Sequence, residues 1–184
     1  MGLMDLVKDE RIHSRNISVN IYPVDDNTII VRGELKDDRL AEHYTMTGKP
    51  STPGVVHHMF INLRVIQQGF EIKEIEVEMP GIPRNGCIEA QDSLDWLIGE
   101  RITAGFTSKV KSKVGKGEGC NHLSALLLAM APMILQGFYT QLSRVKRDNK
   151  DMAFLVSSFL KNTCLVWKED GRHYIDTLKE LSQE

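Results

Sequence analysis

Apolar and polar residues alternate with a period of two in four stretches of the first half of the chain. From Asn16 to Tyr22, Ile17, Val19 and Ile21 fall on one side and Asn16, Ser18 and Asn20 on the other. This is the pattern of a half-buried strand. Asp25-Asp26-Asn27 marks a turn, and alternation resumes from Thr28 to Leu35, which predicts a hairpin. Val55 to Val65 puts His57, Met59, Ile61, Leu63 and Val65 on one face and His58, Phe60, Asn62 and Arg64 on the other. After a Gln67-Gln68-Gly69 turn, Glu71 to Met79 reads as a fourth strand, with Ile72, Ile75, Val77 and Met79 as its apolar members. Lys36 to Pro53 is polar, carries Gly48, Pro50 and Pro53, and reads as a loop.

The period then changes. Pro80-Gly81-Ile82-Pro83 and Asn85-Gly86 form a constrained loop that ends at Cys87. Ile88 to Ile98 reads as a helix stopped by Gly99, and Ile102 to Val114 as a second. Gly115-Lys116-Gly117-Glu118-Gly119 is a mobile connector to a long apolar helix, Leu123 to Arg144, which Pro132 and Gly137 should bend. A last helix is expected over Asp151 to Leu160, followed by Asn162-Thr163-Cys164 and an amphipathic tail. Strands first and helices afterwards predict an α+β fold with an antiparallel sheet. One domain is expected over residues 1–184, with a lead-in at 1–14, a core at 15–142 and a helical extension at 143–184.

Composition narrows the class. At 184 residues and 41% hydrophobic, the chain can bury a sizeable core. A net charge of -2 and a pI near 6.3 give no electrostatic case for nucleic acid or an anionic membrane. Lys109-Lys111-Lys113-Lys116 and Arg144-Lys146-Arg147 alternate with apolar residues and read as solvated helix faces. The N-terminal MGLMDLVKDERIHSRN lacks the apolar stretch of a secretory signal. Leu123 to Phe138 is interrupted by Ser124, Pro132 and Gln136 and falls short of the ~20 residues that span a bilayer, so a buried helix is expected. Three cysteines, an odd count, argue against a disulfide framework and for a reducing cytoplasm.

Thiolate and imidazole are the softest metal ligands a protein offers, and they occur here in three dispersed segments. Cys120 and His122 stand in Gly119-Cys120-Asn121-His122-Leu123, after a glycine run and at the start of a helix. The helix dipole and its unpaired N–H groups favour a thiolate there. Cys87 also follows a glycine and precedes a helix, and His57 lies on the apolar face of its strand. Each of the three segments alone also fits a packing or capping role; together they make a Cys2His2 set. Glu71, Glu74, Glu76 and Glu78 mark a solvated strand face, Met46, Met59, Met79, Met130 and Met133 read as core, and Cys164 as structural. Gly115-x-Gly117-x-Gly119 has neither the Walker lysine nor a preceding strand and reads as a linker.

The chain from Arg15 to Trp167 resembles an uncharacterised bacterial domain family. The resemblance rests on Arg15, Gly33-Glu34-Leu35-Lys36-Asp37, His57-His58-Met59, the loop from Pro83 to Cys87, and Gly119-Cys120-Asn121-His122-Leu123. Asn121 stands where that family usually has Thr. More distantly, Val55 to Phe138 is similar to iron–sulfur cluster scaffold proteins of the NifU/IscU type. In that likeness His57 falls at the scaffold's Asp, Gly86-Cys87 at its Gly-Cys and Cys120 at its last Cys. Val55 and Gly119 stand where the scaffold has its first Cys and its His. The resemblance implies a NifU/IscU-like core at about 55–140 with a metal site in the same place.

These readings converge on a transition-metal-binding protein with ligands His57, Cys87, Cys120 and His122, and His58 as the fallback. Zinc is the expected ion, with iron or an iron–sulfur cluster as the alternative. A protein partner is admitted, with no nucleic acid and no membrane. A thiol-based enzyme or sulfur/acyl-transfer protein using Cys120, with His122 or His57 as base, is the second reading. A non-catalytic interaction domain is the third.

Overall fold

Alternation carries four of the strands well past the ends set by the apolar residues alone. In the computed structural model, which describes residues 2–114 and 117–183, β1 spans His13–Asp25 and β2 spans Thr28–Arg39. Two short strands, β3 (His43–Tyr44) and β4 (Pro50–Ser51), pair with each other inside the segment read as a loop. β5 runs Gly54–Ile66 and β6 Glu71–Gly81. The main sheet is antiparallel throughout, in the order β1-β2-β5-β6, and the following elements are helices. The expected α+β class is therefore what the chain adopts.

One face of the sheet is apolar because the period of two places Ile29, Val31 and Leu35 of β2 beside Met59, Ile61, Leu63 and Val65 of β5, all buried. This parity continues to Asp37, the next position on that face and only 1% exposed. Met79 and Met130 join this core, whereas Met46 is 93% exposed, so its assignment to the core is corrected. It lies in the turn between β3 and β4, where Arg84 Nη2 stands 3.1 Å from its sulfur.

The helices differ from expectation in their bounds. Ile88 to Ile98 belongs to a run of 3-10 turns over Asn85–Leu97, with Leu94 and Leu97 buried. The next helix, α1, begins only at Phe106 and ends at Val114, after Gly105 takes a positive φ of 91°. The start of the glycine connector, Gly115-Lys116, lies outside the described residues. α2 spans Asn121–Leu142, with Pro132 inside it. α3 (Asn149–Leu155) passes into a π-helical turn over Val156–Leu160, and α4 covers Arg172–Leu181.

α2 is long and apolar enough to cross a membrane by length and composition, which the shorter sequence estimate missed. In this fold it packs against the apolar face of the sheet. Leu123, Leu126, Leu127, Met130, Ile134 and Phe138 are buried along it. Gly33 lets it approach β2, since a Cβ at Gly33 would meet Met130 Sδ at 2.5 Å. Farther along, a Cβ at Gly137 would meet Ile21 Cδ1 at 2.3 Å.

These two contacts fix the direction of α2 across the sheet. His122 to Gly137 spans about 22 Å at 1.5 Å per residue. Asp37 to Val31, which pairs with Ile21, spans about 20 Å of strand. α2 therefore runs antiparallel to β2 and delivers its first turn to the sheet end that carries Asp37.

Candidate functional site

The site begins with strand register. Arg15 on β1 pairs with Asp37 on β2, and Asp37 pairs with His57 on β5, so three residues of one rung meet on the core face. A bulge between Asp37 and Asp38 follows directly and shifts the pairing of the remaining residues. Bulges recur beside functional groups because they re-aim a side chain.

Asp37 is the hub of the rung. Arg15 grips it with two hydrogen bonds, Nε to Oδ1 at 2.6 Å and Nη2 to Oδ2 at 2.7 Å. His57 Nδ1 lies 2.9 Å from the same Oδ2. The hydrogen bonds from Arg15 hold the Asp37 carboxyl below the usual carboxylate range, and its charge and His57 add to this against burial. Asp37 is thus an anion, and His57 satisfies it by donating from Nδ1.

His122 arrives from the first turn of α2. Its ring stacks on that of His57, with centroids 3.7 Å apart and planes inclined by 27°. Nε2 stands 3.7 Å from Asp37 Oδ2, and Nδ1 stands 3.7 Å from Cys120 Sγ. Burial pushes the His122 imidazole below the usual histidine range, with His57 and Arg15 adding to this and Asp37 opposing it. His122 is therefore neutral near pH 7, able to accept a proton or to bind a metal.

Cys120 is the N-cap of α2, in extended conformation. It holds this place because Gly119 packs so tightly that a Cβ there would meet Val114 Cγ1 at 2.8 Å. Cys120 and Cys87 are both partly buried free thiols, and they line one pocket. One ligand atom each from Asp37, His57 and His122 lies within 4.8 Å of the other two. For comparison, donors about 2.1 Å from a tetrahedral zinc are separated by about 3.5 Å.

Of the four residues expected from the sequence, the fold brings His57, His122 and Cys120 into one chain of contacts. Cys87 is not in the Asp37–His57–His122 group; it faces the pocket on the Cys120 side. The strand parity separates the two adjacent histidines as expected, and His58 turns to the opposite face, 2.8 Å from Glu34 Oε1. Cys164 is exposed and far along the chain in a turn after the π-helical segment.

The sequence reading missed the roles of Asp37 and Arg15, which it used only as marks of a resemblance. By sequence pattern Asp37 falls in the loop predicted from Lys36 to Pro53, and Arg15 just ahead of the first predicted strand. The signal was present: Ile29, Val31, Gly33, Leu35 and Asp37 share one parity, as do Arg15, Ile17, Val19 and Ile21. A buried carboxylate ends an apolar row, and an arginine stands beside it.

The fold and the cluster together define an α+β protein with a Cys/His/Asp group where a helix start meets a sheet end. The chain belongs to a family of proteins of unknown function, DUF2889, whose match covers residues 13–136 and so includes every member of this group. No curated protein and no solved structure matches the chain.

Proposed function

We propose that this chain binds a transition-metal ion at the meeting point of β2, β5 and the start of α2. The observation that carries the reading is the convergence of Asp37, His57 and His122 within 4.8 Å, with Cys120 Sγ 3.7 Å from His122. His57 binds through Nε2, because Nδ1 donates to Asp37; a carboxylate that fixes a ligating imidazole in this way is a recurrent feature of zinc sites. His122 and Cys120 supply the next donors, and Asp37 is available to the ion only as far as Arg15 releases it. Zinc is the expected ion and iron the alternative, since nitrogen and sulfur donors suit both.

The resemblance to iron–sulfur scaffold proteins, read from the sequence alone, bears on the location of the site and not on its cargo. Cys87 lies in the first of the 3-10 turns and Cys120 caps the long helix. Val55 and Gly119 replace the other scaffold ligands, so a single ion is favoured over an assembled cluster. A cytoplasmic setting suits free thiols. With three or fewer protein donors firmly placed, a coordination position is left for water or substrate.

The experiment is elemental analysis of anaerobically purified protein, beside His57→Ala, His122→Ala and Cys120→Ser. One equivalent of zinc or iron in the wild type, lost in each folded variant, supports the reading. Metal-free wild type that takes up none on reconstitution overturns it.

A second reading is favoured by one observation: His122 lies between a thiol and a carboxylate, each 3.7 Å from a different ring nitrogen. Cys120 would be the nucleophile, His122 its base and Asp37 the group that orients the base. Stoichiometric alkylation of Cys120 in metal-free protein, slowed by His122→Ala, distinguishes it from the metal centre.

A further inference from the structure

Cys87 and Cys120 both line a pocket of about 580 Å³, each with an acidic neighbour beside it. The wall made by the 3-10 turns presents Cys87 and Glu89, and the wall made by the loop before α2 presents Glu118 and Cys120. Arg84 also lines the pocket, and its guanidinium turns to Met46, with Nη2 3.1 Å from the sulfur. Two thiols and two carboxylates make a pocket selective for a soft or borderline divalent cation. Cys120 belongs to both this pocket and the histidine cluster, through its contact with His122. No other residue of the proposed centre lines the pocket.

We propose that this pocket is the uptake site for the metal, with Cys87 as a transient ligand that never belongs to the final coordination sphere. The inference rests on the metal-centre reading above and deepens it. A divalent ion docks between the Cys87 and Cys120 sulfurs as each thiol releases its proton to water. Its bond to Cys87 then breaks as a bond to a His122 nitrogen forms, while Cys120 keeps hold of it. The freed Cys87 thiolate takes a proton back from water, and no electron changes hands. Glu89 and Glu118 outnumber Arg84 along the pocket and draw the cation in, since acidic charge at a cleft raises the association rate of a cation.

The test is stopped-flow loading of the reduced full chain with cadmium(II), followed by thiolate-to-cadmium charge-transfer absorbance, with stoichiometry measured after desalting. Wild type should show a rapid phase from two sulfurs that decays to the signal of one. Cys87→Ser should lose the rapid phase and load more slowly, yet reach the same final stoichiometry. The paired variant Glu89→Gln with Glu118→Gln should load roughly tenfold more slowly at low salt, with the gap closing as salt rises. This second variant changes only partly or fully exposed residues and keeps the test independent of any packing role of Cys87.

Wild-type rates in both variants overturn the inference while leaving the metal centre intact. A final stoichiometry that falls in Cys87→Ser as far as in folded His122→Ala also overturns it, because Cys87 is then a ligand of the centre. Failure of the wild type to bind cadmium at all overturns the metal-centre reading and the uptake site together.

Discussion

The His122 ring lies face to face with that of His57, 3.7 Å between centroids, although the two residues come from a helix and a strand far apart in sequence. Two imidazolium ions cannot share that space at low cost, and Arg15 already adds a positive charge on the far side of Asp37. The stack therefore depends on at least one neutral ring. Metal loading requires both rings to present nitrogens to one point, so it should separate the stack.

Acid should weaken the metal-free protein through this pair. The His122 pKa is lowered by folding, so between its folded value and the ordinary histidine value of about 6.5 the unfolded chain holds more protons. The stability it contributes is complete above about pH 6.5 and is lost as pH falls through the folded value. Asp37, also lowered, adds a second loss at still lower pH, below the ordinary carboxylate value of about 3.9. Melting curves between pH 7.5 and 5 should show Tm falling with acid in wild type and a shallower fall in His122→Gln.

Asp37→Asn should destabilise the fold by about 1.5–3 kcal/mol, the range for hydrogen bonds to charged groups. It removes the anion that Arg15 and His57 both bind. Arg15→Lys should cost less, since Arg15 is the more exposed partner and a lysine keeps the charge while losing the two-pronged grip. Urea denaturation of the metal-free proteins measures both, with Asp37→Asn predicted to have the lower midpoint.

Much of this fold can be read from alternation. Parity alone puts His57 and His58 on opposite faces, and the rung and the Glu34 contact agree with it. Strand ends were less legible, because polar residues at a strand's end look like a loop. Asp37 was lost in this way, and with it the hub of the cluster. Only cross-strand pairing reveals that a polar terminal residue sits between Arg15 and His57. His122 was found because a helix start after glycines has a strong local signature. The position of Cys87 relative to the histidines depends on how the 3-10 turns pack, which no local pattern encodes.

Gly33→Ala should cost about 1–3 kcal/mol, the usual penalty of overpacking a filled core. Its Cβ would meet Met130 Sδ and Cγ, both within 2.9 Å. Pairing it with Met130→Val should recover part of the loss, because the obstacle is a flexible side chain. The same strain pushes α2 away from β2, so Gly33→Ala should also weaken zinc binding without touching a ligand. Chemical denaturation and zinc titration of the single and double variants give both quantities.

The central claim concerns a place, and anomalous scattering at the zinc absorption edge from crystals of zinc-loaded protein addresses it directly. The account predicts one strong peak bonded to His57, His122 and Cys120, at about 2.0–2.3 Å from each donor, with Cys87 outside bonding distance. A loaded crystal with no peak there, or with its peak at other residues, would contradict it.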